Sequence, residues 1–113
     1  EWQMDYPGMR IKWHDWWRAT KTMKKVRKID SVASHASWME NFPWTRLPGI
    51  SMPDEQKAMV DFNILKQISA EEVRDYLGDG NFGGVYQRSD EEMQALWDVA
   101  VEETRALLVE GWV

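Results

Sequence analysis

The last quarter of the chain constrains the fold most. Ser89-Asp90-Glu91-Glu92 sets a hydroxyl and a carboxylate three residues apart, the pattern in which each side chain satisfies the other residue's backbone N–H in the first turn of a helix. Behind it Met93, Leu96, Trp97, Ala100, Val101, Thr104, Leu107 and Leu108 recur at the helical period, which predicts a helix reaching Gly111. An apolar stripe of that length has to lie on something, so the question is what the remaining residues can supply.

They supply short pieces. Ser69-Ala70-Glu71-Glu72 is a second capping pattern and predicts a helix to about Leu77. Met23, Val26 and Ile29, with lysines between them, predict an amphipathic helix over Thr20 to Ile29. Met9 to Trp13 alternates large apolar with basic residues behind Pro7 and Gly8, which reads as a short strand. Ser34 to Phe42 reads as a short helix stopped by Pro43. Leu47 to Val60 holds Pro48, Gly49 and Pro53 and reads as a loop, and Val60 to Leu65 as a strand or extended segment. The glycine-rich run Gly78 to Gly84 lacks the Gly-Lys-Ser/Thr ending of a phosphate loop, leaving a plain connection or an active-site lid. A lone strand has no neighbour to pair with. Residues 1–113 therefore read as part of a single α/β domain rather than a whole one, without internal repeat or low-complexity tract.

Composition narrows the function. At 113 residues the chain is one domain at most. It has no cysteine, which removes disulfide frameworks, thiolate metal sites and thiol nucleophiles. That is compatible with a reducing compartment, and a cytoplasmic location is expected. No apolar run approaches the roughly 20 residues that cross a bilayer. The net charge of -5 and pI ≈ 5.0 argue against nucleic acid as a partner. The charge is segregated, however. Arg10 to Lys28 carries eight basic residues and one acid, and Asp54 to Glu110 carries fourteen acids and five bases. The basic run reads as a solvated helix face, with a phosphate, nucleic-acid or acidic-partner surface as the sharper alternative. Eight tryptophans in so short a chain mean a crowded core or surfaces built to be covered. The sequence opens Glu1-Trp2-Gln3-Met4 without an initiator methionine, as expected if residues have been removed or the chain is a piece of a longer one.

The candidate chemistry rests on two histidines. His14 follows the expected strand in Trp13-His14-Asp15-Trp16-Trp17, and the carboxyl ends of strands are where α/β folds place ligands. The alternative is a packed imidazole beside Asp15 acting as a helix cap. His35, in Ser34-His35-Ala36-Ser37-Trp38-Met39-Glu40-Asn41, falls in the first turn of an expected helix, where the dipole disfavours an imidazolium. A neutral imidazole there can take a proton from water and hand it to a leaving group. On an ideal helix Glu40 would point about 140° away from His35, which predicts no contact between them. Ser37-Trp38-Met39-Glu40 also fits a local capping pattern. Two separated histidines and scattered carboxylates show no metal-ligand spacing.

The stretch from Ser34 to Asn41 resembles the His-x4-Glu segment in the second half of the creatininase family of metal-dependent amidohydrolases. Three further features agree in order: Met9–Trp13 followed by His14-Asp15, the segment beginning Gly78-Asp79, and the long helix from Ser89. The similarity covers most of this chain but only the later half of the family domain. It implies a three-layer α/β/α fold, mostly helical for this portion alone, and hydrolysis of amide or small-ring C–N bonds with two divalent metals such as Zn²⁺ or Mn²⁺. By the same resemblance His35 is the proton shuttle, Glu40 a supporting carboxylate, and His14, Asp15 and Trp38 line the substrate pocket. Ser31-Val32 stands where the family's creatinine hydrolases carry a Trp-Asp pair that grips substrate. The family's metal ligands belong to the earlier half and none is present here, so the metals are expected on an N-terminal half or companion polypeptide in an oligomer. The rival expectation is a non-catalytic, aromatic-rich interaction subunit. A third is a phosphate- or nucleic-acid-binding fragment using Arg10 to Lys28.

Overall fold

The computed structural model describes the backbone of residues 2–110. Glu1 and the expected helix stop at Gly111 lie outside the described residues. The helices are α1 (Trp2–Asp5), α2 (Thr20–Ile29), α3 (Phe62–Leu65), α4 (Ala70–Leu77) and α5 (Asp90–Glu110). Single 3₁₀ turns form at Trp16–Arg18, Trp38–Glu40 and Pro43–Thr45. Two-residue strands β1 (Gln56–Lys57) and β2 (Gly84–Val85) pair antiparallel, Gln56 opposite Val85 and Lys57 opposite Gly84. The result is a mostly helical domain with one small sheet.

α5 forms as its sequence dictates. Ser89 Oγ accepts from Glu92 N–H, and the Glu92 carboxylate accepts from Ser89 N–H. Its stripe buries Met93, Leu96 and Ala100, and α2 lies across it with Val26 and Thr22 buried. Ala19, the residue at the N-terminus of α2, has no side-chain group to cap the helix. Glu103 of α5 does so instead, accepting from Lys21 N–H at 2.8 Å, Thr22 N–H at 2.9 Å and the Thr22 hydroxyl at 3.0 Å. Burial pushes the Glu103 carboxyl up, but these donors outweigh it and hold the group below the usual carboxylate range. Over this helix pair folds the segment 33–42, whose Ala33, Trp38, Met39 and Phe42 complete the core.

Four sequence expectations are corrected. Met9–Trp13 is irregular: among the described residues it pairs with neither of the two strands, which pair with each other. Ser34–Phe42 is not a helix: Ala36 sits at φ 56°, left-handed, and only Trp38–Glu40 closes a turn. Asp61 caps a helical turn where Val60–Leu65 reads as extended. The loop expected over Leu47–Val60 contains β1, which is too short to leave a period in the sequence. Among the described residues the only sheet is the antiparallel pair, so they contain no parallel layer.

The segment after α4 threads between two others. Val60 N–H donates to Phe82 O, Phe82 N–H to His35 O, and Ser34 N–H to Gly83 O. Glycine is required at the crossing. A Cβ on Gly83 would stand 2.7 Å from Met59 Cα, and one on Gly84 2.7 Å from an Asp30 carboxylate oxygen and 2.8 Å from Ala33 Cα. Both glycines also have positive φ.

The chain is open for its size. Its radius of gyration is 17.5 Å, against about 13 Å for a compact chain of this length. It exposes 8435 Å², against about 6,500 Å² for a monomer of this mass.

Candidate functional site

His35 and Glu40 meet, against the helical expectation. With Ala36 left-handed, the chain doubles back within the turn, and Glu40 on the 3₁₀ turn faces the imidazole. His35 Nδ1 lies 3.0 Å from Glu40 Oε1, which also accepts Ala36 N–H at 3.1 Å. A carboxylate oxygen can only accept, so Nδ1 donates and the lone pair of the neutral ring falls on Nε2. Phe82 packs edge-on to the imidazole, with centroids 5.2 Å apart. The ring is held on one side and open on the other, its side chain two-thirds exposed. Ser37 does not cap the turn; its hydroxyl donates to Ser34 O instead.

The pair opens onto a cleft of about 650 Å³ bounded by Trp17, Arg18, Met23, Arg27, Met59 and Phe62 among others. An imidazole on the lining of a cleft, oriented through Nδ1 by a carboxylate and with the lone pair of its neutral form on Nε2, is equipped to accept a proton from one atom and return it to another.

The other expected pocket residues lie elsewhere. Trp38 is fully buried, presents no surface to a ligand and donates its indole N–H to Asp30 at 3.2 Å. His14 stands against α5, its Nε2 3.0 Å from Thr104 Oγ1. Thr104 gives its own proton to Ala100 O, so His14 Nε2 must be the donor. That ring borders a separate apolar groove with Trp16, Trp97, Val101 and Leu108. Asp15 accepts from Trp13 Nε1 at 2.9 Å and faces Arg18 at 3.9 Å. His35 and Glu40 are thus brought together, and His14, Asp15 and Trp38 do not border their cleft.

The sequence reading missed Asp30. This carboxylate is 5% exposed and receives four donors: Val32 N–H at 3.1 Å, Gln56 Nε2 at 2.8 Å, Trp38 Nε1 at 3.2 Å and Val85 N–H at 3.1 Å. It ties the end of α2 to the sheet and to the turn that carries Glu40. Its only sequence signal is an acid just past the end of a basic helix, where the helix dipole opposes it. Asp79, in the segment singled out with Gly78, joins a second cluster. The Lys57 ammonium, at 2.6 Å, and then the Tyr86 hydroxyl hold its carboxyl down at about 2.

Among the described residues no three His, Asp or Glu side chains gather in a group that could hold a metal ion, and no helix is long and apolar enough to cross a membrane. Compared with protein-family models, with curated proteins and with solved structures, the chain finds no match in any of the three.

Proposed function

We propose that this chain is the proton-transferring part of a hydrolase acting on C–N bonds of amides or small ring carbonyl compounds, the later portion of a creatininase-like α/β/α domain that a second polypeptide completes. The observation that carries the reading is the His35–Glu40 pair, with Nδ1 anchored at 3.0 Å and both side chains on the lining of the cleft. As water adds to the carbonyl carbon, Nε2 takes one of its protons; as the C–N bond breaks, Nε2 returns that proton to the departing nitrogen. Glu40 holds the ring in register and offsets the transient imidazolium charge.

The excess surface supports a partner. The chain exposes about 1,900 Å² more than a compact monomer of its mass, more than the roughly 800 Å² that each partner of a standard-size complex covers. Among the described residues no group of side chains fits a divalent metal. Zn²⁺ or Mn²⁺ belongs to this reading only as something the companion holds, in a hetero-oligomer and a reducing, cytoplasmic setting.

The test is turnover of linear and cyclic amides by the assembly purified from its source, with His35→Asn as the variant. Loss of about 10²–10⁴-fold in kcat with folding intact is expected. Activity within a few-fold of the parent would end the shuttle assignment. A second reading, a scaffold without chemistry, draws on the exposed rings of Trp13, Trp44 and Trp97. It is favoured if His35→Asn leaves partner binding and every measured activity unchanged.

A further inference from the structure

The His35 cleft has a composition that selects its occupant. Its floor and walls are soft and apolar: Met23, Met39 and Met59 are thioethers that adapt to irregular shapes, and Trp17 and Phe62 offer aromatic rings. Its charge is mostly of one sign. Arg18 and Arg27 border it, and the one carboxylate on its lining, Glu40, is already engaged by His35 Nδ1 and Ala36 N–H.

Both guanidinium groups have capacity to spare. Arg27 donates from Nη1 alone, to Ser31 O at 2.7 Å and Ala33 O at 2.9 Å, which fixes the group at the rim. Among the described residues Arg18 pairs with Asp15 alone, at 3.9 Å, with its side chain 77% exposed. Met23 and Arg27 are four residues apart on α2 and so share one face, apolar contact and cation side by side.

From these features we infer that the cleft binds small molecules with an apolar or aromatic body ending in a carboxylate. The carboxylate meets the guanidinium groups, where planar, charge-assisted pairing is strong. The body lies on the methionines and rings, and the bond to be cleaved lies at His35 Nε2. The inference rests on the proposed acid–base role only for that last placement; the binding preference stands apart from it.

The test uses hippurate, an aromatic amide with a terminal carboxylate, and its neutral counterpart hippuramide, titrated calorimetrically into the assembly as purified. Hippurate is expected to bind at least about tenfold tighter at low salt, with the preference shrinking as salt rises. Arg18→Gln, at an exposed side chain the fold does not use, should remove most of the preference. Arg27→Lys keeps the charge and should retain more of it than Arg27→Gln, whose folding is checked separately because Arg27 also holds two carbonyls. Equal affinity for the two compounds, or a preference untouched in both Arg18→Gln and Arg27→Gln, overturns the ligand class. His35→Asn should leave the preference within about twofold. If the preference holds but hippurate and related acyl amides are never cleaved, the ligand class stands and the hydrolase reading falls; cleavage without the preference has the reverse meaning.

Discussion

Two carboxylates ten residues apart show how enclosure decides what a group does. Asp30 is shut inside the molecule, and both its oxygens are saturated by donors from four parts of the chain. Glu40 sits a third exposed at the edge of a cleft and orients one imidazole. The first is architecture, because removing it leaves the buried Trp38 indole and three part-buried donors without their acceptor. The second leaves the imidazole it holds two-thirds exposed, within reach of a ligand. Asp30 also supports Glu40 indirectly, since the indole it anchors begins the turn that ends in Glu40.

That contrast can be broken in steps. Asp30→Ala should have the largest effect, about 2–4 kcal/mol of lost stability in denaturant titrations, because one buried and three part-buried donors lose their acceptor at once. Asp30→Asn should cost about 1–3 kcal/mol, since its NH₂ would face groups that can only donate. A loss below about 0.5 kcal/mol in both would remove Asp30 from its place in the scaffold. Glu103, half-buried and capping a helix from a neighbouring one, should cost about 1 kcal/mol as Glu103→Gln.

Asp79 lies between the extremes, half exposed but paired. Its carboxyl is depressed from 3.8 to about 2, first by the Lys57 ammonium and then by the Tyr86 hydroxyl. A group held below its unfolded value stabilises the fold above that value and loses the contribution as pH falls through the folded one. Acid titration of stability should therefore show an Asp79 contribution fading between about pH 4 and pH 2. Lys57→Met should shift that fading upward, and an unchanged acid limb would separate Asp79 from its partner.

Glu40→Gln should be nearly silent in stability, under about 0.5 kcal/mol, yet visible in the ring it orients. Long-range ¹H–¹⁵N spectra of the neutral side chains should show His35 protonated on Nδ1 and His14 on Nε2, opposite tautomers set by a carboxylate and a hydroxyl respectively. Glu40→Gln should mix the His35 tautomers and leave His14 alone. A shared tautomer in the parent would undo both assignments.

Where a structural feature is local, the residues announce it. Ser69 with Glu72 and Ser89 with Glu92 form the expected reciprocal caps, and Met23, Val26 and Ile29 mark α2 over its observed span. Features made by distant segments stay hidden. Met9 to Trp13 alternates like a strand, but alternation cannot supply a partner. The contact between His35 and Glu40 is lost to any helical projection, because one alanine in a left-handed conformation reverses the path. Asp30 escapes notice because its donors come from as far along the chain as Val85. The chemistry-bearing residue types at the candidate site and the basic run that holds Arg18 and Arg27 are legible in the sequence; the turn that joins His35 to Glu40 and the placement of those two arginines beside them are not.

The glycine crossing at Gly83 and Gly84 carries one more consequence. With no room for a side chain between the neighbouring backbones, the stretch bearing the imidazole and the β2 segment behave as one mechanical piece. Anyone transplanting the His35 turn into another scaffold would have to carry Phe82 to Val85 with it. Conversely, a bulky residue introduced at Gly84 would act as a wedge, displacing the reactive ring without touching it.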